Sequence, residues 1–509
     1  MMGLLLKPVA YNKQVMAKAE RFLTGFICVV FIIFIALADH CLAYKDYQER
    51  VTEHTLKNGI RLIILSDHSA PVVSFQVHVD VGAVNERVGE TGIAHLLEHL
   101  AFNGTQVIGT KNWKDEKKAL AKLDRIHKKL LMAKAEGENT QRLEEEFEEA
   151  RLAADRFTRT NEFGQILERA GAIGPGAYIS YDFTCYWVEL PSNKVQLWAL
   201  LESDRLLNSV ARGFYQELKV VKEERRMLVD NSPWGRLWEE FRAIAYKAHP
   251  YGNPIIGHMS DLENMTRDKI RSFYEKHYTP CNIIVAIVGD VEPERLIPKM
   301  EKYFGRFPVK DRPPSVITVE PVQASERKVT VEIKAEPILI IGYHTFKATH
   351  PDRPMLRIVA EILGGGRTSR LYERLVKKEK VAIDVGSWSW APKYPGMFYL
   401  WGMASKGHTN QEVERLIYEE IERLKKELVN VTELEGAKAR VRTEFIRGLK
   451  SRRGIARELA WYEAVTGDWR NMFKELEKVE KVSEEDIKRV VNNYFFSQNR
   501  VVGMVEPKL

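Results

Sequence analysis

MTRDKIRSFYEKHYTPCNIIVAIVGDVEP, residues 265–293, runs from a helix-like stretch through a short turn into an apolar strand. VSEEDIKRVVNNYFFSQNRVVGMVEP, residues 482–507, does the same, with Ile270 matching Ile487 and Asn282 matching Asn499. A pattern of this length that recurs once is the mark of an internal duplication. Between the copies, FPVKDRPPSVITVEP (307–321) is Pro-rich and reads as a linker. Two homologous domains are the economical explanation. Short strands mixed with long helices make each one α+β, a mostly antiparallel sheet packed with helices, and argue against a parallel doubly wound sheet. The expected boundaries are 44–307 for the first domain, 308–326 for the linker and 327–509 for the second.

Composition fits a chain of this kind. It has 509 residues, 45% of them hydrophobic, enough for more than one core. A formal net charge of +7, with no dense Lys/Arg tract, does not point to nucleic acid. Cys185 and Cys281 are the two cysteines of the body and read as free thiols or at most one bridge.

Residues 22–38, FLTGFICVVFIIFIALA, follow Lys13, Lys18 and Arg21 and end in an A-x-A pattern. Residues 1–43 therefore read as a secretory signal peptide, with an uncleaved membrane anchor as the alternative. Either way the body is expected outside the cytoplasm: periplasmic or secreted, or held at a membrane.

VVSFQVHVDVG (72–82) alternates, with Val73, Phe75, Val77 and Val79 on one face and Ser74, Gln76, His78 and Asp80 on the other. That predicts a half-buried strand. GAYISYDFTCYWVEL (176–190) alternates in the same way and reads as a second strand. Residues 411–429 carry a helical period, and Thr432 with Glu435 suggests a capping box that opens another helix. Residues 113–160 are rich in Lys, Glu and Ala, with apolar residues stepping by three and four and Gly137 and Asn139 between them. They predict a helical hairpin inserted into the first domain, its charge runs forming solvated faces. The aromatic clusters SWSW (387–390) and TGDWR (466–470) are expected in core packing or an inter-domain contact, and His249, His258 and His277 in structural roles.

The chemistry concentrates in HLLEHLAFNG, which begins at His95. Residues four apart share a helix face, so His95 and His99 would present two imidazoles to one point, with Glu98 beside them. Catalytic zinc takes three protein ligands and a water, and a neighbouring carboxylate suits a general base that takes a proton from that water. This is H-x-x-E-H, the inverted order of H-E-x-x-H. Chance produces it in a chain of this size at roughly the few-per-cent level, so a third ligand decides. In YQELKVVKEERRMLVDN (215–231), Glu217 and Glu224 lie two helical turns apart and point the same way, while Glu223 does not. Glu224 is taken as the third ligand and Glu217 as a carboxylate that orients a ligand.

HLLEHLAFNGT, GAYISYDFTCYWVEL, ELKVVKEE, GDVEP and LGGGRTSRLYERL, together with the duplication, resemble the pitrilysin/insulinase family of inverted zinc metallopeptidases over nearly all of 50–509. The resemblance implies one zinc ion per chain, bound by His95, His99 and Glu224, with Glu98 as base and Glu217 in support. It implies hydrolysis of peptides or unfolded polypeptide segments. A substrate would add as a strand along Gly176–Leu190, touching Gly176, Ala177 and Tyr178. It also implies a two-domain chain like a mitochondrial processing peptidase subunit, which pairs into a clam-shaped chamber.

Two departures stand out. Relatives usually carry Asn where this chain has Gly176. Their sites are completed by an Arg and a Tyr, seven apart, from the facing half of the clam; the matching positions here are Val376 and Ile383, which donate no side-chain hydrogen bond. Arg367, Arg370 or Arg374 nearby could substitute. The expectation is a homologous partner chain that supplies the pair, a hetero-oligomer before a homodimer. The alternative function is a non-catalytic, peptide-binding or assembly subunit of a peptidase complex.

Overall fold

The computed structural model describes residues 48–508, so the expected signal peptide lies outside the described residues. The first sheet contains β1 (Val51–Thr55), β2 (Arg61–Ser66), β3 (Val72–Val79), β4 (Ile173–Ile179), β5 (Thr184–Pro191) and β6 (Ile283–Gly289), in the order β1-β2-β6-β3-β5-β4. The second contains β7 (Arg327–Ile333), β8 (Ile338–His344), β9 (Ala382–Trp390), β10 (Met397–Ala404) and β11 (Arg500–Pro507), in the order β7-β11-β8-β10-β9. Remove β1 and the two orders superpose. β2 with β6 and β7 with β11 are parallel, and β6–β3, β3–β5, β5–β4, β11–β8, β8–β10 and β10–β9 are antiparallel. The fold is α+β with two homologous sheets, and residues 308–326 between them form neither helix nor strand.

The matched asparagines explain why the repeat is visible. Asn282 Nδ2 donates to the carbonyls of His277 and Asp80, and Asn499 Nδ2 donates to those of Tyr494 and His344. Each amide thus ties the end of a helix to the end of a central strand, and apolar substitution would leave buried carbonyls without that donor.

Eight helices matter for the site and its frame: α1 (Ile93–Leu100), α2 (Trp113–Ala135), α3 (Gln141–Asp155), α4 (Phe214–Arg225), α5 (Pro233–Ala245), α6 (Arg267–His277), α7 (Arg353–Gly364) and α8 (Arg452–Thr466). The expected hairpin is α2 and α3. Leu120, Leu123, Leu130, Ala150 and Ala154 are buried, and a bridge between Thr110 and Thr158 closes its base.

The halves exchange helices. α5, from the first half, packs on β7, β8 and β11 of the second sheet, and α8, from the second half, packs on β3 and β6 of the first. Arg327 caps the end of α5 by donating to the carbonyls of Ile244 and Ala245 at 2.8 Å, and Arg242 donates to the Tyr399 hydroxyl at 2.9 Å. Trp388 and Trp390 pack around α5 and Tyr251, and the Trp469 indole donates to Glu53, so both aromatic clusters join the halves.

This exchange corrects the reading of β3. Ser74, Gln76 and His78 are buried along with the apolar face, because α8 covers the side that alternation assigned to solvent. The reading of 176–190 as one strand is corrected too. It is a hairpin, with Ser180 Oγ accepting from the amides of Asp182 and Phe183 in the turn. The register pairs Ile179 with Thr184, so the turn reverses the parity: Ala177 and Ile179 share a face with Thr184 and Tyr186, not with Cys185 and Trp187 as the unbroken alternation implied. The helix beginning at Val431 is capped by Asn430, which accepts from Thr432 N, in place of the expected box. Cys185 and Cys281 are both free. No helix among the described residues is long and apolar enough to cross a membrane.

Candidate metal centre

α1 buries Ile93, Ala94, Leu96, Leu97 and Leu100 and turns its titratable face to α4. Its start is fixed by Gly92 at φ +83°, where an added Cβ would lie 2.5 Å from the Ile256 carbonyl oxygen. Glu86 accepts from the amides of Gly92 and Ala94 at 3.0 and 2.9 Å, satisfying N–H groups that a helix start leaves unpaired. Sequence reading missed Glu86. The only signal was an acidic residue shortly before a helix, which is too common to single out.

α4 begins after Gly213, also at positive φ, and buries Phe214, Tyr215, Leu218 and Val221. Arg225 anchors its far end, donating to Glu239 at 2.9 Å and to the Gly257 carbonyl at 2.7 Å. Glu217 and Glu224 stand on the side facing α1.

The structure brings His95, His99 and Glu224 together, with one ligand atom from each inside 4.8 Å of the others. Glu224 Oε2 is 3.4 Å from His99 Nε2 and 3.8 Å from His95 Nε2. Tetrahedral zinc with bonds near 2.0–2.1 Å holds its donors roughly 3.3–3.5 Å apart, so the set fits the ion. The imidazole rings are 4.8 Å apart and nearly perpendicular. Glu217 Oε2 lies 3.4 Å from His99 Nδ1. An ionised carboxylate only accepts, so Nδ1 donates to Glu217; Nε2 donates to Glu224 while it carries a proton, and becomes the ring's ligand atom once that proton is displaced.

Electrostatics separate the two histidines. Hydrogen bonds to Glu217 and Glu224 push His99 up to about 10. Burial pushes His95 down to about 4, and its Nδ1 is buried without a hydrogen-bond partner. Glu217 and Glu224 are both lowered, first by their bonds to His99. The centre is built to hold positive charge between His99 and Glu224, which a divalent ion satisfies in place of a proton. Burial raises Glu98 above the usual carboxyl range, reinforced by Glu224 and opposed by His99, which moves it toward the pKa a base needs near neutrality.

Of the expected substrate strand, only Gly176–Ile179 lies on β4, the sheet edge beside α1; the remainder turns back as β5, inside the sheet. The Gly176 departure has a local cause: a Cβ there would lie 2.4 Å from Trp187 Cζ2. Tyr178 packs on Phe183 and Trp187. Val376 packs against the second core, and Ile383 is exposed on β9. Arg370 is held by Glu433 at 2.7 and 2.6 Å, and Arg374 pairs with Glu420 at 2.9 Å and with Glu419. Both guanidinium groups are thus engaged in ion pairs within the second half. α7, the counterpart of α1, carries no histidine.

Known proteins resemble this chain over most of its length. Residues 61–141 match the family described as insulinase (peptidase family M16), and residues 264–441 match the peptidase M16 inactive domain. The zinc protease PqqE of Helicobacter pylori is 28% identical over 94% of this chain and 97% of its own. The uncharacterized zinc protease YmxG of Bacillus subtilis is 21% identical over 90% and 98%. A crystal structure of a protease from Helicobacter pylori aligns with a TM-score of 0.77 at 25% identity, covering 90% of this chain and 99% of that one. A peptidase M16 inactive domain from Pseudomonas fluorescens aligns at 0.73 and 15% identity, covering 90% and 98%.

Proposed function

The chain belongs to the insulinase family, peptidase family M16, and from that membership we propose that it is a zinc-dependent metalloendopeptidase acting on peptides or unfolded polypeptide segments. The observation that carries this is the convergence of His95, His99 and Glu224 with Glu98 on the same helix turn.

His95 Nε2, His99 Nε2 and Glu224 Oε2 would hold one zinc ion per chain. Bound there, zinc supplies Lewis acidity for a peptide carbonyl and lowers the pKa of a water. Glu98 takes the proton from the attacking water and passes it to the leaving amine. Glu217 holds the His99 tautomer. An extended substrate adds to the open edge of β4, its main chain pairing with Gly176, Ala177 and Tyr178. Val376 and Ile383 provide no donors for the developing oxyanion, which supports a homologous partner chain contributing an Arg and a Tyr. The apolar run at 22–38 supports export, to a periplasmic or secreted location or to a membrane anchor.

Metal content and peptide turnover of wild type and Glu98→Gln test the reading. A peptidase keeps zinc in the variant and loses turnover. A peptide-binding or assembly subunit shows no turnover in either, alone or with its homologous partner.

A further inference from the structure

The hairpin α2–α3 interrupts the segment between the histidines and their carboxylate, yet it is not a loose insertion. Glu116, in the first turn of α2, is 1% exposed, and Arg212, just before α4, is 2% exposed. Arg212 Nε donates to Glu116 Oε1 at 2.5 Å and Nη2 to Oε2 at 3.0 Å. Its remaining donors go to the carbonyls of Asn103 and Ile108, each at 2.9 Å, and of Thr105 at 2.8 Å. All five guanidinium hydrogens are thereby used. Three of them grip the loop that leaves α1.

That loop is shaped for the guanidinium. Gly104 and Gly109 sit at φ +100° and +83°, and a Cβ on either would lie 2.7 or 2.6 Å from Arg212 Nη1. The grip continues to the metal centre. Asn103 Nδ2 donates to the Arg212 carbonyl at 3.2 Å and to Glu217 Oε1 at 3.1 Å, and Glu217 Oε2 holds His99. A second hold falls on the first turn of α4. The Tyr215 hydroxyl donates to Asp124 of α2 at 2.9 Å, and its ring packs on His127 and Phe147 of the hairpin.

We propose that the hairpin is a clamp on the two ligand-bearing helices, and that Glu116 and Arg212 are positioning residues that act on the metal through Asn103, Glu217 and His99. Neither touches the metal or a substrate. The buried pair fixes the loop after α1, the loop fixes Asn103, and the two bonds on Glu217 set where His99 points. This rests on the metal reading above and adds to it the residues that orient the site.

The test uses the full chain loaded with Co2+, whose d–d spectrum reports ligand geometry apart from turnover. Glu116→Gln and Asn103→Ala should each shift that spectrum and weaken cobalt binding by about 3–10-fold, below the 10–100-fold typical of a direct ligand partner. In a Glu217→Gln background the effect of Glu116→Gln should vanish, because the path is already cut. Leu130→Ala, which loosens the far end of the hairpin, should lower the melting temperature and leave the spectrum alone. An unchanged spectrum in folded Glu116→Gln and Asn103→Ala, or an effect of Glu116→Gln that persists without Glu217, would overturn the clamp. Wild-type protein that takes up no cobalt would instead remove the metal reading beneath it.

Discussion

His99 Nε2 and Glu224 Oε2 stand 3.4 Å apart, though the whole hairpin lies between them in the chain. Two acidic groups press on one imidazole, and that imbalance is what a divalent ion relieves. Glu224→Ala is therefore expected to abolish stoichiometric zinc while leaving the chain folded, since the carboxylate is partly exposed and sits on a helix anchored by Arg225. Glu217→Gln should retain zinc with affinity lowered about 10–100-fold, because it removes only the group that orients His99. Chelator competition with elemental analysis reads both. Equal losses in the two variants would mean that the carboxylates do not differ in role.

Gly176 and Trp187 are paired across β4 and β5, and the indole fills the space a side chain would need. Arg453, at the start of α8, lies 4.7 Å over the same ring and holds it in place. Gly176→Asn should cost about 1–3 kcal/mol by overpacking. Trp187→Ala removes the ring that the new side chain would strike, so the two changes together should cost less than the sum of each alone. Denaturant unfolding of the single and double variants checks the coupling.

How much of this was legible follows from the range of each interaction. His95, Glu98 and His99 are one helical turn, and a 3.6-residue period states their geometry outright. Glu224 was readable because it sits two turns from Glu217 on a helix whose apolar face is clear. The duplication was readable because Asn282 and Asn499 do the same job with nearly the same neighbours. By contrast, the turn at Ser180–Phe183 hid inside an unbroken alternation. The burial of Ser74, Gln76 and His78 depends on α8, which arrives from the other end of the chain. The Glu116–Arg212 pair joins two charges that look like any other solvated ones until the fold removes the solvent.

The helix exchange predicts that neither half folds alone. Residues 48–307 lack α8, which would leave one face of β3 and β6 open, and residues 308–509 lack α5, which would leave β7 and β11 open. The first opening uncovers Ile284, Ala286 and Val288 of β6 beside the unsolvated polar side chains of β3, and the second uncovers Ile338, Ile340, Val501 and Val505, so each half presents buried side chains to water. Expressed separately, the halves should be insoluble or molten; co-expressed, they should assemble into a protein with the melting behaviour of the intact chain. Separate halves with sharp, cooperative unfolding would show that the exchange is dispensable.

His78 gives the fold an acid sensitivity with a defined sign. It lies under α8, stacked on Phe183 with its Nδ1 unpartnered, and burial pushes it from 6.5 down to about 3. Between those two values the unfolded chain binds a proton that the folded chain refuses. The unfolded state then holds more protons, so stability rises with pH across that window and is lost as pH falls. Above 6.5 both states are neutral and His78 has no effect. One such group costs about 1.4 kcal/mol for each pH unit below 6.5, on the order of 3 kcal/mol by pH 4. His127, His249, His277 and His344 are each lowered by burial to about 4 and add to the same slope. The contribution of His78 is isolated by comparing wild type with His78→Gln in urea at pH 7 and pH 4, both stripped of metal. The variant should gain relative stability on acidification, and parallel loss in the two proteins would show that His78 can take up its proton without unfolding.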